Sequence, residues 1–459
     1  MLINISPKIV MKRLLQTSIT LFKLLPIVIL IHCGEKSVVE PIQEPTVNTQ
    51  DVENIIMYEI NIRAFSNEGT FQGIVNRLDS IKTLSINVIW LMPIYPIGKI
   101  NTVNSPYCVK NYTEVNPEFG TLENFKTLVQ EAHKRNISVI IDWVANHTSW
   151  DNPWIQNKSW YSQDASGNII HPPGTNWQDV ADLNFDNQEM RNEMIKSMKY
   201  WVLNADVDGF RCDAADFVPF DFWKQAIIEL LNIEGKNLIL LAEGSRTDHF
   251  TAGFQMNYSW DFYTTIKNVF RDNYSASYIF STHYSEYNNI PSGKYKLRFT
   301  TNHDESAWDA TPMTLFNGKK GALAASVITI FIGGVPLIYG SQEVGVSNTI
   351  PFFSRAPIDW SLNPDMLYTY RGLLSLYSNF DVLRKGTLER LDAVNVLAFK
   401  KVIPEKEFLI IVNVRNYNVT YTPPATLTNT TWKNAFDSTS VEIKTTVALD
   451  PYSYLILTK

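Results

Sequence analysis

The strongest constraint on the fold is a succession of short, almost wholly apolar segments separated by stretches of helical period. Residues 88–92 read Val-Ile-Trp-Leu-Met, residues 137–142 Ile-Ser-Val-Ile-Ile-Asp and residues 238–243 Leu-Ile-Leu-Leu-Ala-Glu. Strands this apolar must be covered on both faces, which happens in a parallel sheet flanked by helices. Further strands are expected at 55–61, 207–213, 253–258, 297–300 and 335–339, and amphipathic helices at 73–84, 121–135, 188–203 and 222–231. Thr121 is the expected N-cap of the second helix. Eight strands with intervening helices over about three hundred residues fit a closed (β/α)₈ barrel better than an open doubly wound sheet. The chain has neither GxGxxG nor GxxxxGK[ST], which removes the usual phosphate cradles.

Two regions break the alternation. Between Asp142 and the helix near Gln188 lies a segment with Trp150, Trp154, Trp160, Tyr161 and Trp177, too long to be a plain connection. It reads as a small inserted domain over the barrel mouth. Its 164–168 stretch has the composition of a turn, with a slight likeness to a calcium loop. After about residue 386 the period changes to two, at 394–399, 408–414, 419–421, 441–443 and 452–457, which predicts a separate antiparallel β-sandwich. The expected organisation is a barrel over 54–147 and 186–385, an insertion over 148–185 and a sandwich over 386–459.

The N-terminus reads as a targeting segment. Lys12-Arg13 precedes an apolar run at 24–31, too short to span a bilayer, and Leu-Ile-His-Cys-Gly follows at 30–34. The last five residues resemble a bacterial lipobox with Cys33 as the lipidated residue, although His32 stands where a small residue is usual. The other reading is a plain secretory signal. Residues 1–33 are thus expected to be a signal, and the polar, Pro-containing stretch 34–53 a tether. Either way the protein is expected to be exported, in the periplasm or on the cell surface, and to meet a membrane only through such an anchor. Three cysteines exclude a disulfide framework, and a formal net charge of −6 without a basic stripe argues against a nucleic-acid partner.

In a barrel of this kind the site lies at the C-terminal ends of the strands. Four ends carry chemistry-bearing residues: Asp142 to His147, Arg211 with Asp213, Glu243, and Asn302-His303-Asp304. Strand side chains alternate, so Arg211 and Asp213 share a face, and a guanidinium beside a carboxylate favours its ionised form. Taken alone, such a pair is more often structural than catalytic.

In order and approximate spacing these four stretches resemble the four sequence regions of the α-amylase family, glycoside hydrolase family 13. The stretches at 58–63, 90–93 and 336–340 resemble further landmarks of that family. The resemblance implies a retaining α-glucan hydrolase acting on α-1,4 bonds of starch-like polymers or maltooligosaccharides. By the family's pattern Asp213 is the nucleophile, Glu243 the acid/base and Asp304 the transition-state carboxylate. His147, His303, Arg211, Asp142 and the aromatic Tyr107 correspond to residues around the same sugar, Asp142 more through Arg211 than by touching substrate. Two departures stand out. Asp216-Phe217 replaces a common Lys-His pair, so contacts on the leaving-group side must differ. Asn184 replaces an acidic residue of the family's calcium site, to which Asn146 also belongs, so calcium is possible but that site is short of charge and no cofactor is expected to be required. The alternatives are a transglycosylase or glucosyl isomerase of the same family and a non-catalytic glycan-binding lipoprotein.

Overall fold

The computed structural model describes residues 51–391 and 393–459. The expected signal over 1–33 and most of the tether over 34–53 lie outside the described residues.

Eight parallel strands close into a barrel: β1 (Met57–Ile60), β2 (Val88–Leu91), β3 (Ser138–Val144), β4 (Gly209–Asp213), β5 (Ile239–Ala242), β6 (Met256–Tyr258), β7 (Tyr295–Arg298) and β8 (Val335–Tyr339). Each pairs with its sequence neighbours, and β8 closes on β1 through Met57 opposite Leu337 and Glu59 opposite Tyr339. Every residue of β1 to β6 and of β8 is buried, as their apolar composition requires. Close contact between β4 and β5 explains Gly209. A Cβ there would lie 1.9 Å from the Ile239 carbonyl oxygen.

The helix expected over 121–135 spans Leu122–His133, with Thr121 as N-cap. Asn124 N–H donates to the Thr121 hydroxyl at 3.2 Å and Thr121 N–H donates back to Asn124 Oδ1 at 2.9 Å, a reciprocal cap. The helix expected over 73–84 instead forms two short pieces, Phe71–Val75 and Leu78–Lys82. Arg77 leaves helical geometry between them, and its guanidinium lies 4.0 Å from the Trp360 ring centroid. This tertiary contact is invisible to helical periodicity.

β3 runs two residues beyond the sequence-based expectation, to Val144, which pairs with Asp213. Asp142 therefore sits within the barrel rather than at its rim. The segment that follows is held by a two-stranded antiparallel pair, His147–Ser149 with Val180–Asp182. Its 164–168 stretch is a turn: Asp164 Oδ1 accepts from the N–H groups of Ser166 and Asn168 at 2.9 and 2.8 Å.

The C-terminal region forms a six-stranded antiparallel sheet and a two-stranded one. The period-two pattern buries both faces of the larger sheet. Leu397, Phe399, Phe408, Ile410 and Val412 join the core that includes the barrel, while Val396, Ala398, Leu409 and Ile411 join Trp432, Tyr421 and Ile443 in a second core. Arg415 ties the region to the barrel by donating to the carbonyls of Val269 and Tyr274 at 2.6 and 2.7 Å.

Candidate active site

At the C-terminal mouth of the barrel lies a cleft of about 670 Å³, lined by residues that include Asp213, Glu243, Asp304, Tyr107 and His147. Three further residues expected at the site, Asp142, Arg211 and His303, are fully buried beneath it. The site thus has two layers, a wall that solvent reaches and a polar floor that it does not.

The floor centres on Arg211. Its Nη1 donates to both oxygens of Asp142 at 2.8 and 3.1 Å and to Asp213 Oδ1 at 3.0 Å, and its Nε donates to the Tyr258 hydroxyl at 3.2 Å. The guanidinium lies 4.8 Å from the Trp90 ring centroid. The sequence reading gave Arg211 one carboxylate to keep ionised. The structure adds Glu243, whose Oε1 lies 2.8 Å from Arg211 Nη2 although the angle leaves that contact outside hydrogen-bond geometry. One cation therefore serves three carboxyl groups.

That sharing governs the electrostatics. Burial and the neighbouring Glu243 charge push the Asp213 pKa well up, against the pull of Arg211. Burial likewise raises Glu243, again opposed by Arg211. A carboxyl that burial holds above its usual range is suited to general-acid work. Arg211 donates a directed hydrogen bond to Asp213 but meets Glu243 only through a Coulombic contact, and burial keeps both carboxyls raised.

Local backbone sets up the rest. Ala214 adopts the left-handed conformation, φ +43°, uncommon for a residue with a Cβ. The turn aims its N–H at Glu243 Oε2, 2.7 Å away, and Ala215 N–H donates to the Glu243 carbonyl at 2.9 Å. Asp304 lies in the first turn of a helix, His303–Trp308, whose N-cap Asn302 accepts from Glu305 N–H at 2.8 Å.

The two histidines differ in charge. Burial holds the His147 pKa down at about 4, so it is neutral. For His303 burial also opposes charge, but Asp304 and Glu59 outweigh it and lift the pKa to about 9.

The wall is aromatic. Tyr107, Trp177, Phe217, Trp260, Trp308, Phe352 and Phe353 all line the cleft. Trp177 comes from the inserted segment and packs between His147 and Phe217, with ring centroids 5.6 and 5.5 Å away. Phe217 stands where the sequence departs from the family pattern. Its neighbour Asp216 also lines the cleft, and its carboxylate accepts from the Ser245 and Arg246 N–H groups at 3.0 and 3.3 Å, next to His249. Sequence reasoning missed Trp260, Trp308, Phe352, Phe353 and the buried Glu59. Of these, Trp308 had a readable signal, lying one helical turn beyond Asp304.

Asn146 and Asn184, the calcium positions that the resemblance suggests, line one pocket with Asp182 and Asp186, but their amides are engaged elsewhere. Asn184 spends Nδ2 on the Ser159 carbonyl at 3.2 Å and Oδ1 on the Asp186 N–H at 3.0 Å, while the Asn146 amide lies 3.3 Å from His147 Nδ1. Among the described residues no cluster of three His, Cys, Asp or Glu side chains could hold a metal. Asn184 thus brings no charge to its position, and its amide oxygen is already engaged.

A closed barrel with ionisable carboxyl groups gathered over one buried arginine, in a cleft of aromatic rings, defines a barrel enzyme of the glycoside hydrolase class. A family model described as the α-amylase catalytic domain matches residues 47–179 and 159–371, and the chain belongs to that family. α-Amylase 3 of Dictyoglomus thermophilum is 26% identical over 444 residues, covering 80% of this chain and 86% of that protein. The crystal structure of a noncanonic maltogenic α-amylase, AmyB, from Thermotoga neapolitana superposes with a TM-score of 0.81 at 26% identity, covering 89% of this chain and 99% of that one. An α-amylase from Lactobacillus plantarum gives a TM-score of 0.80 at the same identity and the same coverage of both chains.

Proposed function

We propose that the protein hydrolyses α-1,4-glucosidic bonds of starch-like polymers or maltooligosaccharides with retention of configuration. The observation that carries this reading is that Asp213, Glu243 and Asp304, from three different strand ends, all open into one cleft. In this reading Glu243 protonates the departing glycosidic oxygen while an Asp213 oxygen bonds to the anomeric carbon, giving a covalent glycosyl ester. Glu243, now ionised, then takes a proton from water, whose oxygen displaces Asp213. Asp304 faces the positive charge that develops on the ring. Neutral His147 and Tyr107 line the same cleft, His147 supplying a hydrogen bond to the sugar and the Tyr107 ring stacking beneath it. Arg211, Asp142 and His303 act from beneath, by holding these groups.

The test is a panel of starch, pullulan, maltotriose, trehalose and sucrose with the anomers of the products followed in time. α-Configured shorter maltooligosaccharides are expected. Longer oligomers would make the protein a transglycosylase, a rearranged disaccharide an isomerase, and no turnover of any α-glucoside would leave the non-catalytic reading.

The donor set around Asn146 and Asn184 supports turnover without calcium, so exhaustive chelation is expected to leave kcat unchanged. Export and a lipid on Cys33 rest on the sequence pattern of residues 12–34. Labelled palmitate is expected to enter the parent and not a Cys33→Ala variant.

A further inference from the structure

Glu59 is a buried carboxylate at the end of β1 that the reaction above does not use. Both hydrogen bonds to its side chain within the described residues come from His303, from ring Nδ1 at 2.5 Å and from the backbone N–H at 3.3 Å, and both go to Oε1. Its Oε2 is buried without a donor. A carboxylate in that position is stable only beside a positive charge.

The far side of the imidazole points the same way. His303 Nε2 lies 2.6 Å from the Tyr107 hydroxyl, and that hydroxyl lies 3.0 Å from Asp142 Oδ2. Asp142 also accepts from Arg211 and, at 3.3 Å, from the Trp90 indole N–H, so it is an acceptor. Tyr107 has a single hydroxyl proton. Spent on Asp142, it leaves the phenolic oxygen free to accept, and Nε2 must donate. With Nδ1 facing the Glu59 carboxylate, both ring nitrogens carry protons.

We propose that Glu59 is a positioning residue that holds His303 as an imidazolium and thereby fixes the direction of the hydrogen bonds running from His303 through Tyr107 to Asp142. A neutral ring protonated at Nδ1 would take the Tyr107 proton at Nε2. Asp142, the brace of Arg211, would then lose a donor. The positive charge also lies 3.4 Å from Asp304 Oδ2 and offsets the crowding of carboxylates under the cleft. The groups facing His303 are Glu59 from β1, Tyr107 beyond β2, Asp142 from β3, Arg211 from β4 and Asp304 beside it, with Glu243 also within electrostatic reach. Among them only the Arg211 cation opposes the charge.

The consequence for catalysis rests on the functional reading above, whereas the protonation state does not. In the full chain labelled with ¹⁵N-histidine, with His303 assigned by its loss in His303→Asn, both ring nitrogens are expected to be protonated at pH 7.5. In Glu59→Gln the ring is expected to be neutral at the same pH. The alkaline limb of kcat/KM on a maltooligosaccharide should move acidward by about one pH unit, a tenfold relative loss near that limb, with partial recovery in Glu59→Asp. A neutral His303 in the parent at pH 7.5 overturns the proposal even if Glu59→Gln fails to fold. So does a Glu59→Gln variant that folds and keeps both the imidazolium and the parental pH profile. A parent with the imidazolium but no α-glucosidic turnover would sink the functional reading and leave the assignment of Glu59 standing.

Discussion

The floor and the wall of the cleft are built on opposite principles. The floor consists of buried charged groups: Asp142 and Arg211 are set by backbone pairing of β3 with β4, and His303 stands at the start of the helix after β7. The wall consists of rings on connections: Trp177 from the inserted segment, Phe217 from the turn after β4, and Phe352 with Phe353 from the stretch after β8. Buried charges tolerate little displacement because each lost partner leaves an uncompensated group. Rings on loops can change identity at small cost. Chemistry is therefore tied to the rigid layer and substrate choice to the adaptable one. The two histidines show the contrast within one residue type, His303 charged in the floor and His147 neutral in the wall.

The sharpest way to break this division is to alter the chemistry without moving the floor. Glu243→Gln keeps the shape and removes the exchangeable proton, and kcat is expected to fall by roughly 10²- to 10⁴-fold. Circular dichroism and the urea midpoint should stay close to the parent. A small loss of activity with intact structure would remove Glu243 from its role.

Next in size is the floor itself. Arg211→Met leaves Asp142, Asp213 and Glu243 without their cation, and removing one partner of a buried pair costs about 3–5 kcal/mol. The three folded-state pKa values, already raised by burial in the parent, then rise further, so the loss is greatest at high pH and shrinks as acid protonates the carboxyls. Urea unfolding at pH 8 and pH 5 should show the larger deficit at pH 8.

His147 gives the opposite sign. Its folded pKa of about 4 lies below the ordinary value near 6.5, so the unfolded chain binds the extra proton between those limits. Stability from this group is present above about pH 6.5 and is lost as pH falls towards 4, about 3 kcal/mol over the window at 1.36 kcal/mol per unit. His147→Asn should flatten the acid side of the stability curve by that amount relative to the parent.

The smallest effect belongs to the wall. Phe217→Ala removes a ring packed on Trp177, and an aromatic pair is worth about 0.5–1.5 kcal/mol, or roughly two- to tenfold in kcat/KM on long maltooligosaccharides. The urea midpoint should barely move, because Phe217 is about half exposed. An effect as large as that of Glu243→Gln would erase the distinction between the layers.

The sequence by itself determined the barrel, the C-terminal sheet and the three carboxylates, because each leaves a local trace. Strands buried on both faces must be apolar throughout, Thr121 must precede a helix it caps, and Asp213, Glu243 and Asp304 each close a recognisable strand or helix start. The tertiary structure alone decided what those residues do to one another. That Arg211 serves three carboxyls, that Asp142 is sealed beneath the cleft and that Glu59 meets His303 across 244 positions of sequence all follow from closing the barrel. Closure brings strand ends far apart in the chain within hydrogen-bond reach, and only then do burial and neighbouring charge fix which group holds a proton.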